Sequence, residues 1–252
     1  MANRKILVTG SSRGIGRAVA EAFARAGDRV AVHHRASPGL AETVAASLPG
    51  DGHVVVQADI ADPSAVRAMV DDAAARLGGL DVLVNNAASY GRAAHPVTEV
   101  SYEQWQQVWR DTVDLNLIGA ANVTWCAVRH MLAAGGGRIV NVSSRGAFRG
   151  EPGQPAYGAS KAGLNALSQS LAVALAPLGI TVAAVAPGFV QTDMAAPHLA
   201  GESGAAIRAQ SPFGRVAMPE EVAAAVLFLA SPEAEWASGA ILDLNGASYL
   251  RT

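Results

Sequence analysis

Cys126 is the only cysteine in 252 residues, so no intrachain disulfide can form. That fits a reducing compartment, and a cytoplasmic protein is expected. Charge is scarce as well: 16% of residues are charged and the formal net charge is -2. Such a balance gives no global basic surface, and no nucleic-acid partner is expected. No apolar segment approaches the roughly 18 to 20 uncharged residues that a membrane span needs, so no membrane partner is expected either. The N-terminus enters a strand-like run, Lys5-Ile6-Leu7-Val8, at once. It lacks the apolar stretch and cleavage site of a signal peptide. No linker, internal repeat or low-complexity tract interrupts the chain, and one domain over residues 1–252 is the expectation. Hydrophobic residues make up half the chain, enough for a sizeable core and against disorder.

Short β-rich runs alternate with longer helical patterns. Strands are expected near 4–9, 29–33, 53–58, 81–85, 138–142, 180–186 and 240–244. Helices are expected near 14–26, 38–48, 63–77, 102–134 (broken once), 155–177 and 219–230. The first helix is the clearest: Ile15, Ala18, Val19, Ala22, Phe23 and Ala26 repeat at helical spacing, and Gly27 supplies a stop. Asp62 before Pro63 reads as an N-cap, and Ser101 with Gln104 as a capping box. Pro219-Glu220-Glu221 opens the last helix. Ile139-Val140 and Val182-Ala183-Ala184-Val185 are apolar on both faces, as in a sheet covered on both sides. Alternating strands and helices imply right-handed crossovers. The expected fold class is α/β: a Rossmann-type, doubly wound, seven-stranded parallel sheet with helices on both faces. Residues 187–215 show no regular pattern and hold three prolines; a flexible segment over the active site is the expectation there.

Between the first strand and first helix stands Thr9-Gly10-Ser11-Ser12-Arg13-Gly14-Ile15-Gly16. Glycines there let the backbone turn and approach a pyrophosphate, which the helix N-terminus attracts. The spacing differs from the usual Gly-x-Gly-x-x-Gly, and a purely structural turn is the alternative. A dinucleotide fold often ends its second strand on an acid that holds the adenosine ribose. Here His33-His34-Arg35-Ala36-Ser37 stands instead, with no acid. Arg35 and Arg13 could pair with a 2′-phosphate, or they could be solvated surface charges. The two histidines read as strand-end residues, and no metal site is expected. Asp59-Ile60 could flank an adenine; Asn85-Asn86-Ala87 ends the fourth strand, where a ligand crevice forms.

Tyr157 and Lys161 lie four apart, on one helical face. A nearby ammonium would lower the tyrosine pKa from about 10 toward neutrality, making a proton donor or acceptor. Ser143 and Ser144 follow the buried strand Ile139-Val140-Asn141-Val142, where a hydroxyl could steady charge on a substrate oxygen. Asn116 falls inside a helical pattern that disfavours asparagine. Pro187-Gly188 marks another turn at the same sheet edge.

Together these motifs resemble the short-chain dehydrogenase/reductase family, near its 3-oxoacyl-carrier-protein reductase-like branch, over residues 4–246. Thr9 to Gly16 match the family's Thr-Gly-x-x-x-Gly-x-Gly pattern, which brings in Gly10, Ser12, Arg13, Gly14, Ile15 and Gly16. Asn85-Asn86-Ala87 match Asn-Asn-Ala-Gly, with Ala88 for the last glycine. The resemblance implies a catalytic tetrad of Asn116, Ser144, Tyr157 and Lys161. Ser144, not Ser143, takes the serine position because it lies 13 residues before the tyrosine. It also implies cofactor contacts from His34, Arg35, Ala36, Ser37, Asp59, Ile60, Asn86, Ala87 and Ala88, from Pro187, Gly188, Val190 and Thr192, and from Tyr157 and Lys161. The family's terminal Asp-Gly-Gly reads Asn245-Gly246-Ala247, and Arg145, Phe148, Arg149 and Glu151 charge the loop before Tyr157. The implied activity is hydride transfer between a nicotinamide and a carbonyl or alcohol, such as a 3-oxoacyl thioester or related ketone. NADP(H) is expected over NAD(H), and a homotetramer or homodimer is expected. In family terms Lys161 holds the ribose and lowers the Tyr157 pKa, while Asn116 holds a water. An NAD-specific relative, a non-catalytic dinucleotide sensor and a nucleotide-dependent methyltransferase are the rival readings. A sensor would not need all four tetrad positions, and a methyltransferase has no use for Tyr157 with Lys161.

Overall fold

A computed structural model describes residues 3–91 and 94–251. In chain order the elements are β1 (Lys5–Val8), α1 (Gly14–Arg25), β2 (Arg29–His34), α2 (Pro38–Ser47), β3 (Val54–Gln57), α3 (Pro63–Leu77), β4 (Val82–Asn85), α4 (Tyr102–Val113), α5 (Ala120–Ala133), β5 (Gly137–Val142), α6 (Gly146–Arg149), α7 (Pro155–Leu175), β6 (Ile180–Pro187), α8 (Ala196–Leu199), α9 (Gly201–Ala209), α10 (Pro219–Leu229) and β7 (Ile241–Leu244). The seven strands form one parallel sheet in the order β3-β2-β1-β4-β5-β6-β7. The strand order reverses between β1 and β4, and the crevice beyond their carboxyl ends is where such sheets bind ligands.

Alternation along β1 shows how the core divides. Ile6 and Val8 join one apolar cluster, with Val19 and Phe23 of α1 and Val222 and Val226 of α10. Leu7 between them joins the other, with Val70 and Leu77 of α3 and Val123 and Met131 of α5. Successive side chains of a strand point to opposite faces, so each face is covered by its own helices. Burying a Leu or Phe side chain stabilises by about 1.5–3 kcal/mol, so these two layers fix the register of every strand.

The caps read from sequence are formed. Asp62 accepts from Ser64 N and Ala65 N, and Ser101 with Gln104 closes a capping box on α4. The helix over 102–134 is broken once, as expected, by a π-helical turn, Asp114–Gly119, between α4 and α5. Gly119 permits close approach there, since a Cβ would stand 2.6 Å from the Ile60 carbonyl oxygen. Two other segments differ from the sequence expectation. Within 187–215, taken as irregular, lie α8 and α9. Gly204 is the only buried residue of α9, so no apolar stripe marks it in the sequence. Four-residue α6 is too short to show a helical period.

Candidate active site

The glycine-rich turn hangs on hydrogen bonds from both neighbouring strands. Thr9 Oγ1 accepts from Asn86 N and Ala87 N at 3.0 Å each. Asn86 Nδ2 donates to the carbonyls of Thr9 at 2.9 Å and Gly10 at 3.1 Å. From the other side, Gly10 N donates to His33 Nδ1 at 2.8 Å, and His33 Nε2 lies 3.1 Å from Ala58 O. With Nδ1 accepting, Nε2 carries the proton and the ring is neutral. Burial drives the His33 pKa down to about 4, which the Ala58 hydrogen bond opposes. Gly10 has φ 65° and Gly14 φ 57°, in the left-handed region that favours glycine. Gly16 permits contact: a Cβ there would stand 2.4 Å from Gly10 O.

Arg13 occupies the N-cap of α1 without a side-chain cap, and the first turn holds no acid. The backbone N–H groups of that turn are therefore left to a ligand or solvent, and the helix dipole favours an anion. A cavity of about 730 Å³ opens in front of them. Its size suits a dinucleotide together with a small substrate. Every cofactor position expected from sequence lines this cavity except Gly16, which is packed beneath the turn. Arg35 stands at the far mouth with its side chain 60% exposed and its Nη1 3.9 Å from Asp59 Oδ2. Thus an acid does reach this region, from the end of β3 and not of β2.

At the other end, Ser144, Tyr157 and Lys161 share the cavity wall. Ser144 follows β5 and stands beside Tyr157, whose pKa it pulls down; its Oγ accepts from Gly146 N at 3.0 Å. Ser143 is buried and its hydroxyl donates to Lys161 O, which leaves Ser144 as the serine facing Tyr157. Lys161 Nζ donates to Val142 O at 2.8 Å and lies 5.9 Å from the Tyr157 ring centre. Burial pushes Tyr157 up to about 12 and Lys161 down to about 8. The downward pull expected from the ammonium gives way to loss of hydration, which Ser144 partly opposes.

Asn116 lies in the π-helical turn and does not line the cavity. Its Oδ1 accepts from Ser89 N, and its Nδ2 donates to Ser89 O and to Ser160 Oγ. Ser160 Oγ in turn donates to Tyr157 O. The side chain thus ties the segment after β4 to the turn of α7 that carries Tyr157 and Lys161.

Comparison with known proteins decides the family. A family model described as Enoyl-(Acyl carrier protein) reductase matches residues 10–246. The chain is 42% identical to cis-4-hydroxycyclohexanecarboxylate dehydrogenase of Sinomonas cyclohexanicum, covering 97% of this chain and 96% of that one. It is 38% identical to a 3-oxoacyl-[acyl-carrier-protein] reductase of Staphylococcus aureus, covering 98% of each. The structure of a short chain dehydrogenase from Burkholderia cenocepacia, in complex with NADP, superposes with a TM-score of 0.88 at 36% identity over 98% of each chain. The chain belongs to the short-chain dehydrogenase/reductase family. It is an oxidoreductase that moves hydride between a nicotinamide dinucleotide and a carbonyl or alcohol.

Departures from the family pattern have different local consequences. Ala88 does not adopt a positive φ, so the missing glycine costs no backbone strain. Ala247, where the family has glycine, is the only non-glycine residue at positive φ among the described residues, at 57°. The turn holding it packs beside the site: a Cβ on Gly188 would meet Asn245 Cα at 3.1 Å, and Ser211 Oγ donates to Gly246 O at 2.7 Å. Several cavity residues were not singled out as site residues from sequence. Tyr90 packs edge-on against Tyr157 with ring centres 4.8 Å apart, and against His198 at 5.7 Å. Burial, with the Glu151 carboxylate nearby, raises its pKa. The charged loop at 145–151 was the only signal pointing to this side.

Proposed function

We propose that this short-chain dehydrogenase/reductase acts as an NADP(H)-preferring carbonyl reductase, with residues 1–252 working as one unit. The observation that carries the reading is the shared wall of Ser144, Tyr157 and Lys161, in the same cavity as the uncapped N-terminus of α1. When bound, the dinucleotide supplies the hydride; the protein orients it. The first turn of α1 and Ser12 would hold its phosphates, Asp59 and Ile60 would flank the adenine, and Val190 and Thr192 would meet the carboxamide. Tyr157 donates its proton to the substrate carbonyl oxygen, and Ser144 hydrogen-bonds the same oxygen. A phenol held at about 12 keeps its proton at neutral pH, which suits the acid of a reduction. Lys161, at about 8, stays an ammonium at pH 7 and holds ribose hydroxyls. Asn116 positions α7 and does not touch the reacting atoms. The substrate is a ketone of the size of a 3-oxoacyl chain or an oxocyclohexane acid, the two chemistries that the relatives' names suggest. We place the enzyme in the cytoplasm, where reduced dinucleotide is available, as a homotetramer or homodimer. Exposed Trp125, Ile118 and Val173 on neighbouring elements support the assembly.

Cofactor preference rests on Arg13 and Arg35, with no acid on β2. Exposure and the competing Asp59 discount charge-assisted hydrogen bonds, leaving a bias of about tenfold or more toward NADPH. kcat/KM with NADPH and NADH, measured on a ketone panel, tests this. Arg35→Ala and Arg13→Ala narrow the bias; equal or better use of NADH by the wild type contradicts it.

A further inference from the structure

Arg145 directly follows Ser144 and lines the same cavity, yet it is only 4% exposed. Its backbone N donates to Pro187 O at 2.9 Å, which fixes the start of its side chain between β5 and β6. Nη1 donates to Ser248 Oγ, and Nη2 to Gln210 Oε1 at 2.6 Å. The guanidinium lies over the Phe189 ring, 5.3 Å from its centre. Both hydrogen-bond partners are neutral. Among the described residues no carboxylate stands within ion-pair distance. Glu151 is near enough to add a favourable field, but it forms no ion pair with the guanidinium. A second guanidinium, Arg149, reaches the same Gln210 oxygen at 3.2 Å. Burial, with Arg149 adding to it, holds the Arg145 pKa below the ordinary arginine value. A buried charge without a counter-ion is costly. With five N–H donors, the group has capacity beyond its two hydrogen bonds.

We propose that Arg145 receives the carboxylate of the substrate, so that the preferred substrates are oxo acids and not neutral ketones or acyl thioesters. This rests on the carbonyl-reductase reading and narrows it. The ketone carbon sits at Ser144 and Tyr157. The carboxylate extends past Tyr90 to the guanidinium, which completes its hydrogen bonds with an anion that the protein does not supply. Planar guanidinium and carboxylate match as a two-point contact, which lysine cannot reproduce.

The test uses two ketones of equal shape, 4-oxocyclohexanecarboxylate and 4-oxocyclohexanecarboxamide, with NADPH and NADH. The wild type should favour the carboxylate in kcat/KM by roughly tenfold to a hundredfold. In Arg145→Met the ratio should fall to about one through a raised KM for the carboxylate; Arg145→Lys should keep an intermediate ratio. Circular dichroism and NADPH binding show whether each variant is folded. A wild type that reduces both ketones without preference overturns the inference and leaves the reductase reading intact. So does a folded Arg145→Met that loses both substrates in proportion, since Arg145 is then only a fastener for α9 and the C-terminal segment. Reduction of neither ketone, nor of any other in the panel, overturns the reductase reading and this inference with it.

Discussion

His33 is 2% exposed and has a backbone N–H on one ring nitrogen and a carbonyl on the other. Its folded pKa of about 4 lies below the 6.5 of an exposed imidazole. Above pH 6.5 the ring is neutral folded or unfolded, and its contribution to stability is whole. As pH falls from 6.5 to 4, the unfolded chain takes up a proton that the folded one refuses, and stability drops. A difference of about 2.5 pKa units corresponds to about 3 kcal/mol. His33→Asn keeps an acceptor for Gly10 N and does not titrate. Urea unfolding at stepped pH should show the wild type losing about 3 kcal/mol more than His33→Asn over that window; parallel curves would contradict the burial argument. Nothing in the sequence pointed to this role, because His33 meets a partner 23 residues away. Tyr157, Lys161 and Ser144 were legible, since four-residue spacing on a helix and the end of a buried strand are local facts. The Asn116 contacts were not, for Ser89 and Ser160 lie 27 and 44 residues from it.

Among the elements, helices with strong caps or one apolar face were legible: α1 through its apolar face, α3 and α4 through caps that stand where they begin. Short α6, stripe-free α9 and the π-helical turn left no periodic signal to read. The π-helical turn explains why an asparagine sits in a helical pattern: its side chain is used across elements, and helix propensity gives way to that packing. The outer faces of α5 and α7 carry a second pattern. Trp125 is 53% exposed, Val173 79%, and Ile118 in the π-helical turn 46%. Side chains of this kind anchor interfaces when desolvated. Trp125→Glu should therefore shift sedimentation toward smaller species, with a subunit dissociation constant raised at least about tenfold. A fully active wild-type monomer at micromolar concentration, or an unchanged profile in the variant, would contradict this.

On the scale of the whole molecule, a parallel sheet whose order reverses between β1 and β4 brings distant segments to one crevice. The glycine turn, Asn86, Ser144 and Gly188 all follow strands, and α7 delivers Tyr157 and Lys161 to the same edge. Fold and crevice were legible because both depend on strand order and strand ends. The wall of the cavity formed by Tyr90, Arg145 and His198 was not, because these residues are brought together only by the fold. The proposed chemistry turns on Tyr157 delivering the proton that completes carbonyl reduction. Tyr157→Phe keeps the ring against Tyr90 and removes the hydroxyl. Single-turnover reduction of a ketone by the purified variant, alongside NADPH affinity by fluorescence, tests that claim most directly. The rate should fall at least about 100-fold below wild type, with NADPH affinity within about threefold. A folded variant that reduces the ketone at a near-wild-type rate would contradict it.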